Sequence, residues 1–418
     1  MTRIMKDSGI EWIGEIPDSW EVTKLKYFID CYDGKREPID SGKRKSGNYP
    51  YWGAGSITDY VDDYLFDEEL VLLGEDGAPF FDPTRPVAFL VNEKIWVNNH
   101  IHVLKPHNTI CSNYMVHYLN NVDYKSYING SILSKLTQSK MNEIVFLLPS
   151  LSEQQVISTF LDHQCVHVDK IIEKTKSSIE EYKNLKRAII TQVVTTGMRG
   201  DRPMKNIRIG WVEKIPENWT ISTIGKVGKT TSGSTPLRSN ETDYFVDATI
   251  RWVRTLDLND WIVEDSSEKI TELALVESSC SIMPIDTVCV AMYGGGGTIG
   301  KCGILKTECA TNQAVCSIIC NRNRILPMYL LFELLALKGF WMVYAVGTRK
   351  DPNISQDIVG KMKIVLPPLE EQKEIAEYLV GKCNAIDDLI AKKERFLAEL
   401  ENYKKSIIYE YVTGKKEA

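Results

Sequence analysis

Two stretches of this chain, far apart in sequence, carry the same pattern. "EWIGEIPDSWEVTKLKYF" (Glu11 to Phe28) is answered by "GWVEKIPENWTISTIGKV" (Gly210 to Val227). Trp12, Ile16, Pro17 and Trp20 return as Trp211, Ile215, Pro216 and Trp219, each 199 positions later (219 − 20). A second block, "LPSLSEQQVISTFL" (Leu148 to Leu161), returns as "LPPLEEQKEIAEYL" (Leu366 to Leu379) at an offset of 218 (366 − 148). That offset also carries Leu136-Thr137-Gln138 onto Ile354-Ser355-Gln356, Cys165 onto Cys383 and Asp169 onto Asp387. Fixed-interval self-similarity means a repeated structural unit. The chain therefore has the form A-B-A′-B′, with the second interior about 19 residues longer (218 − 199).

The B blocks read as long helices. Ser152 with Gln155 forms a capping box just after Pro149, a helix start signal. Apolar residues follow mostly at steps of three or four, the pattern of a helix packed along one stripe. Gly197 and Gly414 mark the ends. Two matched stripes in one chain are expected to pack on each other, antiparallel, as a coiled coil. The expected seam is Ile157, Leu161, Val168, Ile172 and Ile189 against Ile375, Leu379, Ile386, Ile390 and Ile407.

Each interior is rich in aromatic and β-branched residues broken by Gly, Pro, Asn and Asp, which reads as a sheet with many turns. A short helix is expected to close each one, at "SNYMVHYLNNV" and "PMYLLFELLALKGFWMV". The predicted fold is α+β: two mixed α/β globules joined by two long helices, with an internal pseudo-two-fold repeat. The expected divisions are residues 1–149, a helical spacer 150–198, residues 199–367, and a helical spacer 368–418.

Several function classes fall away. The stretch "MYGGGGTIGKCGIL" imitates a phosphate-binding loop, since Gly295 to Cys302 reads G-x-x-x-x-G-K-C. A real one needs a helix N-terminus facing the phosphates and a hydroxyl for magnesium. Here Cys302 replaces the hydroxyl and strand-like sequence follows, so a hairpin turn is expected, with no bound nucleotide. Asp82-Pro83-Thr84 and Asp351-Pro352-Asn353 lack the second proline and the aromatic residue of an adenine methyltransferase motif. No catalytic Cys-His or Ser-His-Asp pattern stands out. None of the ten cysteines forms a C-x-x-C pair, so they read as small buried hydrophobes and not as a zinc site. His100 with His102, and His163 with His167, lack a third ligand, so no metal site is expected. No apolar run approaches the roughly 20 residues of a membrane span, and "MTRIMKDSGIEWIGEIPDSW" is no secretion signal, so the cytoplasm is expected. A net charge of −6 argues against coating nucleic acid by charge alone.

The paired "GEIPDSW" and "EKIPENW" openings, the "LPSLSEQQ" and "LPPLEEQK" helix starts and the two-fold layout resemble the specificity subunit of type I restriction–modification systems. "YPYWGAGSITDYVDDYLFDEELVLLGEDGAP" and "YFVDATIRWVRTLDLNDW" with "AMYGGGGTIGKCGIL" look like its target-recognition domains. The resemblance implies that each interior recognises one half of a bipartite double-stranded DNA sequence, while the helices set the gap. It also implies docking of two modification (methyltransferase) subunits, which hold S-adenosylmethionine, and of restriction (helicase-nuclease) subunits that use ATP. This chain would have no cofactor and no catalytic residue. Base edges are read by Arg, Lys, Asn, Gln and Ser/Thr on projecting loops. The expected readers are Lys35, Arg36, Lys43, Arg44 and Lys45 in the first interior. In the second they are Ser232, Ser234, Thr235 and Arg238, whose Gly233-Ser234-Thr235-Pro236 matches the family's G-x-T-P-type loop, with Tyr293 beside the glycines. Trp12, Trp20, Trp211 and Trp219 are expected to anchor each domain to the helices. Two other classes stand beside this one: a fragment of a fused restriction–modification enzyme, and an architectural helical-spacer protein.

Overall fold

The structure is a computed structural model that describes residues 3–82, 84–128, 134–294, 297–347 and 352–418. The chain forms two compact units, Met1–Ser177 with Lys393–Ala418, and Ser178–Lys392. Two long helices, Leu151–Thr196 and Leu369–Val412, each contribute one stretch to both units.

The first long helix starts on a different serine from the expected one. Ser150 is the cap: its hydroxyl accepts from Glu153 N–H at 3.3 Å, and its carbonyl accepts from Gln154 N–H at 2.9 Å. Ser152 falls inside the first turn. Both serines begin an S-x-x-E/Q pattern, and the chain uses the one adjoining Pro149, whose fixed φ hands over to the cap. Gly197 and Gly414 end the helices at φ +73° and +72°, the left-handed conformation that glycine adopts without strain.

Within each unit the two helix stretches run antiparallel. In the first unit Phe160 stacks near Tyr411 with ring centroids 4.4 Å apart, while nine residues further on Asp169 meets Lys404 at 2.7 Å. Ile157 and Leu161 share a core with Ile407 and Val412. In the second unit Ile190 and Val193 share a core with Ile375, Leu379 and Cys383, and Ile179 packs on Ile386 and Ile390. Val168 is buried, whereas Ile172 and Ile189 are only half-buried.

The globular parts repeat one topology. The first unit has an antiparallel sheet ordered Ile29–Cys31, Ile101–Pro106, Leu70–Gly74, Ala88–Val91. Its second sheet runs Ile57–Val61, Ser46–Trp52, Lys94–Val97, Phe66–Asp67, with a parallel pair at its centre placing Tyr51 opposite Trp96. The second unit repeats the first sheet as Gly228–Ser232, Val315–Cys320, Val288–Ala291, Cys302–Leu305, and adds Trp261–Val263 as a parallel edge strand. It repeats the other as Lys269–Ile270, Ile250–Val253, Cys309–Thr311, Ile282–Met283, again with a central parallel pair that places Trp252 opposite Ala310. The expected helices are present at Ser112–Leu119 and Pro327–Leu337.

In each unit the repeated A block closes onto the start of a long helix. Glu21–Lys24 pairs with Val145–Leu148, and Thr220–Thr223 pairs with Lys363–Leu366. Trp20 Nε1 donates to Glu153 at 3.0 Å, and Trp219 Nε1 to Glu371 at 2.7 Å. Arg3 and Arg202 lie over the two indoles and pair with the same two carboxylates. Trp211 instead donates to Lys363 O at 3.2 Å, on the strand leading into the helix, and Trp12 packs beside Tyr118. Gln154 and Gln372, both fully buried, hydrogen-bond to main-chain groups only: Cys111 N–H, Pro149 O and Thr109 O in one unit, Leu326 N–H, Pro367 O and Arg324 O in the other.

The glycine stretch is a hairpin. Val288–Ala291 pairs antiparallel with Cys302–Leu305 (Val288 opposite Ile304), so a strand and not a helix follows the glycines. Gly295 and Gly296 lie outside the described residues. Gly300 is required: at φ +76°, a Cβ there would meet the Trp341 ring at 2.3 Å. No helix among the described residues is long and apolar enough to cross a membrane.

Candidate nucleic-acid interface

The first candidate loop, Asp33 to Lys45, is built on a charged base. His102 is fully buried, its Nδ1 2.6 Å from Asp33 and its Nε2 2.8 Å from Leu136 O. Arg36, with a side chain only 14% exposed, donates to Glu75 at 2.6 Å, to Ile101 O and to Asp33 O. Burial alone would raise the Asp33 carboxyl; the hydrogen bond and charge of His102, the Val103 N–H and Arg36 outweigh it and hold the group below its usual value. Asp33, Glu75 and His102 place ligand atoms within 4.8 Å of one another. Arg36 and, at 3.6 Å, Lys135 already supply the positive charge there, so the cluster works as an ion-pair network. Of the three, the sequence singled out His102 alone, and its partners Asp33 and Glu75 reach it only through the fold.

Arg36 thus spends its donors inside the protein. The rest of the loop is more open. Lys35 is exposed with Nζ 3.7 Å from the Tyr32 ring, Lys43 is exposed beside Asp40, and Lys45 is exposed. Arg44 lies over Tyr51, 4.2 Å from its centroid, and pairs with Asp59 at 3.3 Å. Tyr60 N–H and Arg44 together hold the Asp59 carboxyl below its usual value.

In the second unit the loop after Gly228–Ser232 is pinned by main-chain contacts. A Cβ on Gly233 would collide with Thr311 O, and Ser234 N–H donates to that oxygen at 3.1 Å. Ser234 O in turn accepts from Trp252 Nε1 at 3.1 Å. Ser234 and Thr235 are half-buried, while Ser232 and Arg238 are exposed. Arg238 pairs with Glu268 at 2.5 Å and lies over Phe245 at 4.3 Å. Tyr293 is exposed and bridges to Asn353. The structure brings Arg238 together with two residues that sequence reasoning missed, Arg254 and Glu268, which meet at 2.8 Å just after the strand Ile250–Val253 and just before Lys269–Ile270.

Comparison with known proteins fits this architecture. The model of the type I restriction modification DNA specificity domain matches twice, over residues 17–181 and 216–402. A Haemophilus influenzae protein described as a putative type I restriction enzyme specificity subunit is 32% identical over 162 residues, 39% of either chain. The type I restriction enzyme MjaVIII specificity subunit of Methanocaldococcus jannaschii is 24% identical over 420 residues, covering 96% of this chain and 93% of that one. A solved structure described as the structural basis of complex assembly and conformational transition of the type I R-M system superposes with a TM-score of 0.71 at 15% identity, over 96% of this chain and 99% of that one. Two matched domains, one on each repeat, decide the matter: the chain belongs to the type I restriction modification DNA specificity family.

Proposed function

We propose that this specificity subunit reads a two-part DNA sequence, one half with each unit, and performs no chemistry itself. The observation that carries the reading is the repeated topology. Two globules of the same strand order close through the same Trp–Glu joint onto one pair of antiparallel helices. Unlike interiors behind matching joints suit two different half-sites. The long helices fix their separation, as half-site spacing follows protein geometry in other two-headed readers. The same helices dock two modification subunits, with restriction subunits joining the assembly in the cytoplasm. Phosphate contacts dominate affinity for DNA, so a chain of net charge −6 relies on its partners for much of that attraction.

The test is exchange of residues 30–145 for the corresponding segment of another family member. The hybrid and its modification subunit are expressed together, and methylated sites are mapped across the genome. One half of the methylated sequence should change and the other should persist. A change in both halves would overturn the reading.

A further inference from the structure

Arg238 differs from Arg36 in what it leaves unused. Arg36 gives its guanidinium to one carboxylate and two carbonyls. Arg238 makes one side-chain polar contact among the described residues, Nη2 to Glu268, and is 49% exposed. Its Nε and Nη1 have no protein acceptor there. Its plane is nonetheless restrained, with Phe245 at 4.3 Å and Trp252 at 5.9 Å.

Glu268 holds a second arginine. Its Oε2 takes Arg238 and its Oε1 takes Arg254 Nη1 at 2.8 Å, while Arg254 Nη2 donates to Ser267 Oγ at 2.8 Å. The main chain that carries this side chain is held in turn, because Glu268 O accepts from Trp252 N–H at 3.2 Å. One acid therefore spaces two guanidinium groups around one buried indole.

The first unit carries a related arrangement in the same topological place. Arg44 lies over Tyr51, which faces Trp96 across the central parallel pair as Trp252 faces Ala310. Asp59, on the strand antiparallel to Ser46–Trp52, takes Arg44; Glu268 directly precedes the strand antiparallel to Ile250–Val253. The aromatic residues are 201 apart (252 − 51) and the arginines 194 (238 − 44). No single repeat offset produces this, so the device recurs without shared local sequence.

We propose that Glu268 is a positioning residue that aims Arg238 at one base pair of the half-site read by the second unit, a guanine, whose O6 and N7 accept two parallel N–H donors in the major groove. The inference rests on the reading given under Proposed function. A guanidinium free to swing makes such a pair with any nearby acceptor, phosphate included. One clamped by a carboxylate on Nη2 and by a stack offers its remaining two-donor edge, which the second Nη2 hydrogen completes, in one direction, and that direction converts attraction into discrimination.

The test uses the full chain with its modification subunits, comparing Glu268→Gln and Arg238→Lys with wild type by mapping methylated sites and by methylation rates on single-base variants of the site. Glu268→Gln should lower discrimination by about tenfold at one position of one half-site, leaving the other half and the gap unchanged. Arg238→Lys, which keeps the charge and loses the planar fork, should relax the same position. Thermal melts of both variants check the fold; should Glu268→Gln fail to fold, the Arg238→Lys arm decides. Wild-type discrimination in the folded variants, relaxation in both halves, or an effect of Arg238→Lys alone beside a folded, fully selective Glu268→Gln would each overturn the proposal. A wild-type complex that methylates no two-part sequence would instead overturn the underlying reading, and this proposal with it.

Discussion

Lys186 donates to both carboxylate oxygens of Asp387, at 2.6 and 2.9 Å. Shifting each number by 218 turns this pair into Lys404 and Asp169, which meet at 2.7 Å in the other unit. The internal symmetry thus extends to single ion pairs. Lys186 and Asp387 are 22% and 47% exposed, and exposed pairs contribute roughly 0.2–1 kcal/mol. A double-mutant cycle on them should give a coupling below about 1 kcal/mol by denaturant titration. Glu371→Ala should cost far more, about 3 kcal/mol, because it leaves the Trp219 N–H without its acceptor and the mostly buried Arg202 guanidinium without its counter-charge.

Leu185 and Tyr403 are also related by 218, and both are exposed apolar residues on the long helices, at 47% and 52%. Under the proposed function, two equivalent apolar positions receive the two modification subunits. Leu185→Glu or Tyr403→Glu should each leave melting temperature within a few degrees and cut the stoichiometry of co-purified modification subunit from two to one. Full stoichiometry in both variants would place the docking surface elsewhere.

Lengthening the helices tests their role as spacer. Seven residues inserted near Thr175 and seven near Lys393 add about 10 Å at ~1.5 Å per residue while keeping the packed stripe in phase. Both half-sequences should persist, and the unspecified gap should grow by about three base pairs at roughly 3.4 Å each. Genome-wide methylation mapping reads this directly, and robust methylation at the original gap alone would refute it.

Glu333 supplies a pH test. It is fully buried, and burial pushes its carboxyl up to about 8 despite contacts with Tyr329 and the Val365 N–H. The single Tyr329 hydroxyl proton has two oxygens in reach, Glu333 Oε1 at 2.8 Å and Val365 O at 3.2 Å. A protonated Glu333 donating to the tyrosine oxygen satisfies both. The unfolded carboxyl releases its proton near 4.5, so folding takes up a proton between that value and about 8. Stability contributed by this group is whole below pH 4.5, declines as pH rises, and levels off above 8, a loss on the order of a few kcal/mol. Glu333→Gln should flatten that slope, and at pH 8 should unfold at higher denaturant than wild type.

In the glycine hairpin, Lys301→Ala should leave ATP-dependent restriction by the assembled complex unchanged. Gly300→Ala should destabilise the second unit by about 1–3 kcal/mol, since it adds both positive-φ strain and a collision with Trp341. Calorimetry of the two variants separates a structural glycine from an inert lysine.

What the sequence disclosed was whatever repeats at a fixed offset. The Trp20 and Trp219 anchors were legible because they recur at one offset, although their partners lie 133 and 152 residues away; the helix stripes, the closing helices and the hairpin were legible because each depends on residues near one another in the chain. The helix cap slipped by two residues because Ser150 and Ser152 both start a capping pattern, and only the hydrogen bonds separate them. The candidate readers were legible as residue types alone. Arg36 looks as available as Arg44 in sequence, yet a partner 39 residues away engages it. Glu268 and Arg254 gave no signal, since their meaning comes from a carboxylate shared across a sheet edge.

The two buried glutamines carry a consequence for how such a protein diversifies. The side-chain amides of Gln154 and Gln372 hydrogen-bond only to peptide groups, and the residue donating its N–H is cysteine in one unit and leucine in the other. A clamp that grips backbone is blind to side chains. Mutations in the segments it holds go unchecked at that point, provided the main chain still passes through. New DNA preferences can therefore accumulate by ordinary drift behind a fastening that needs no matching change.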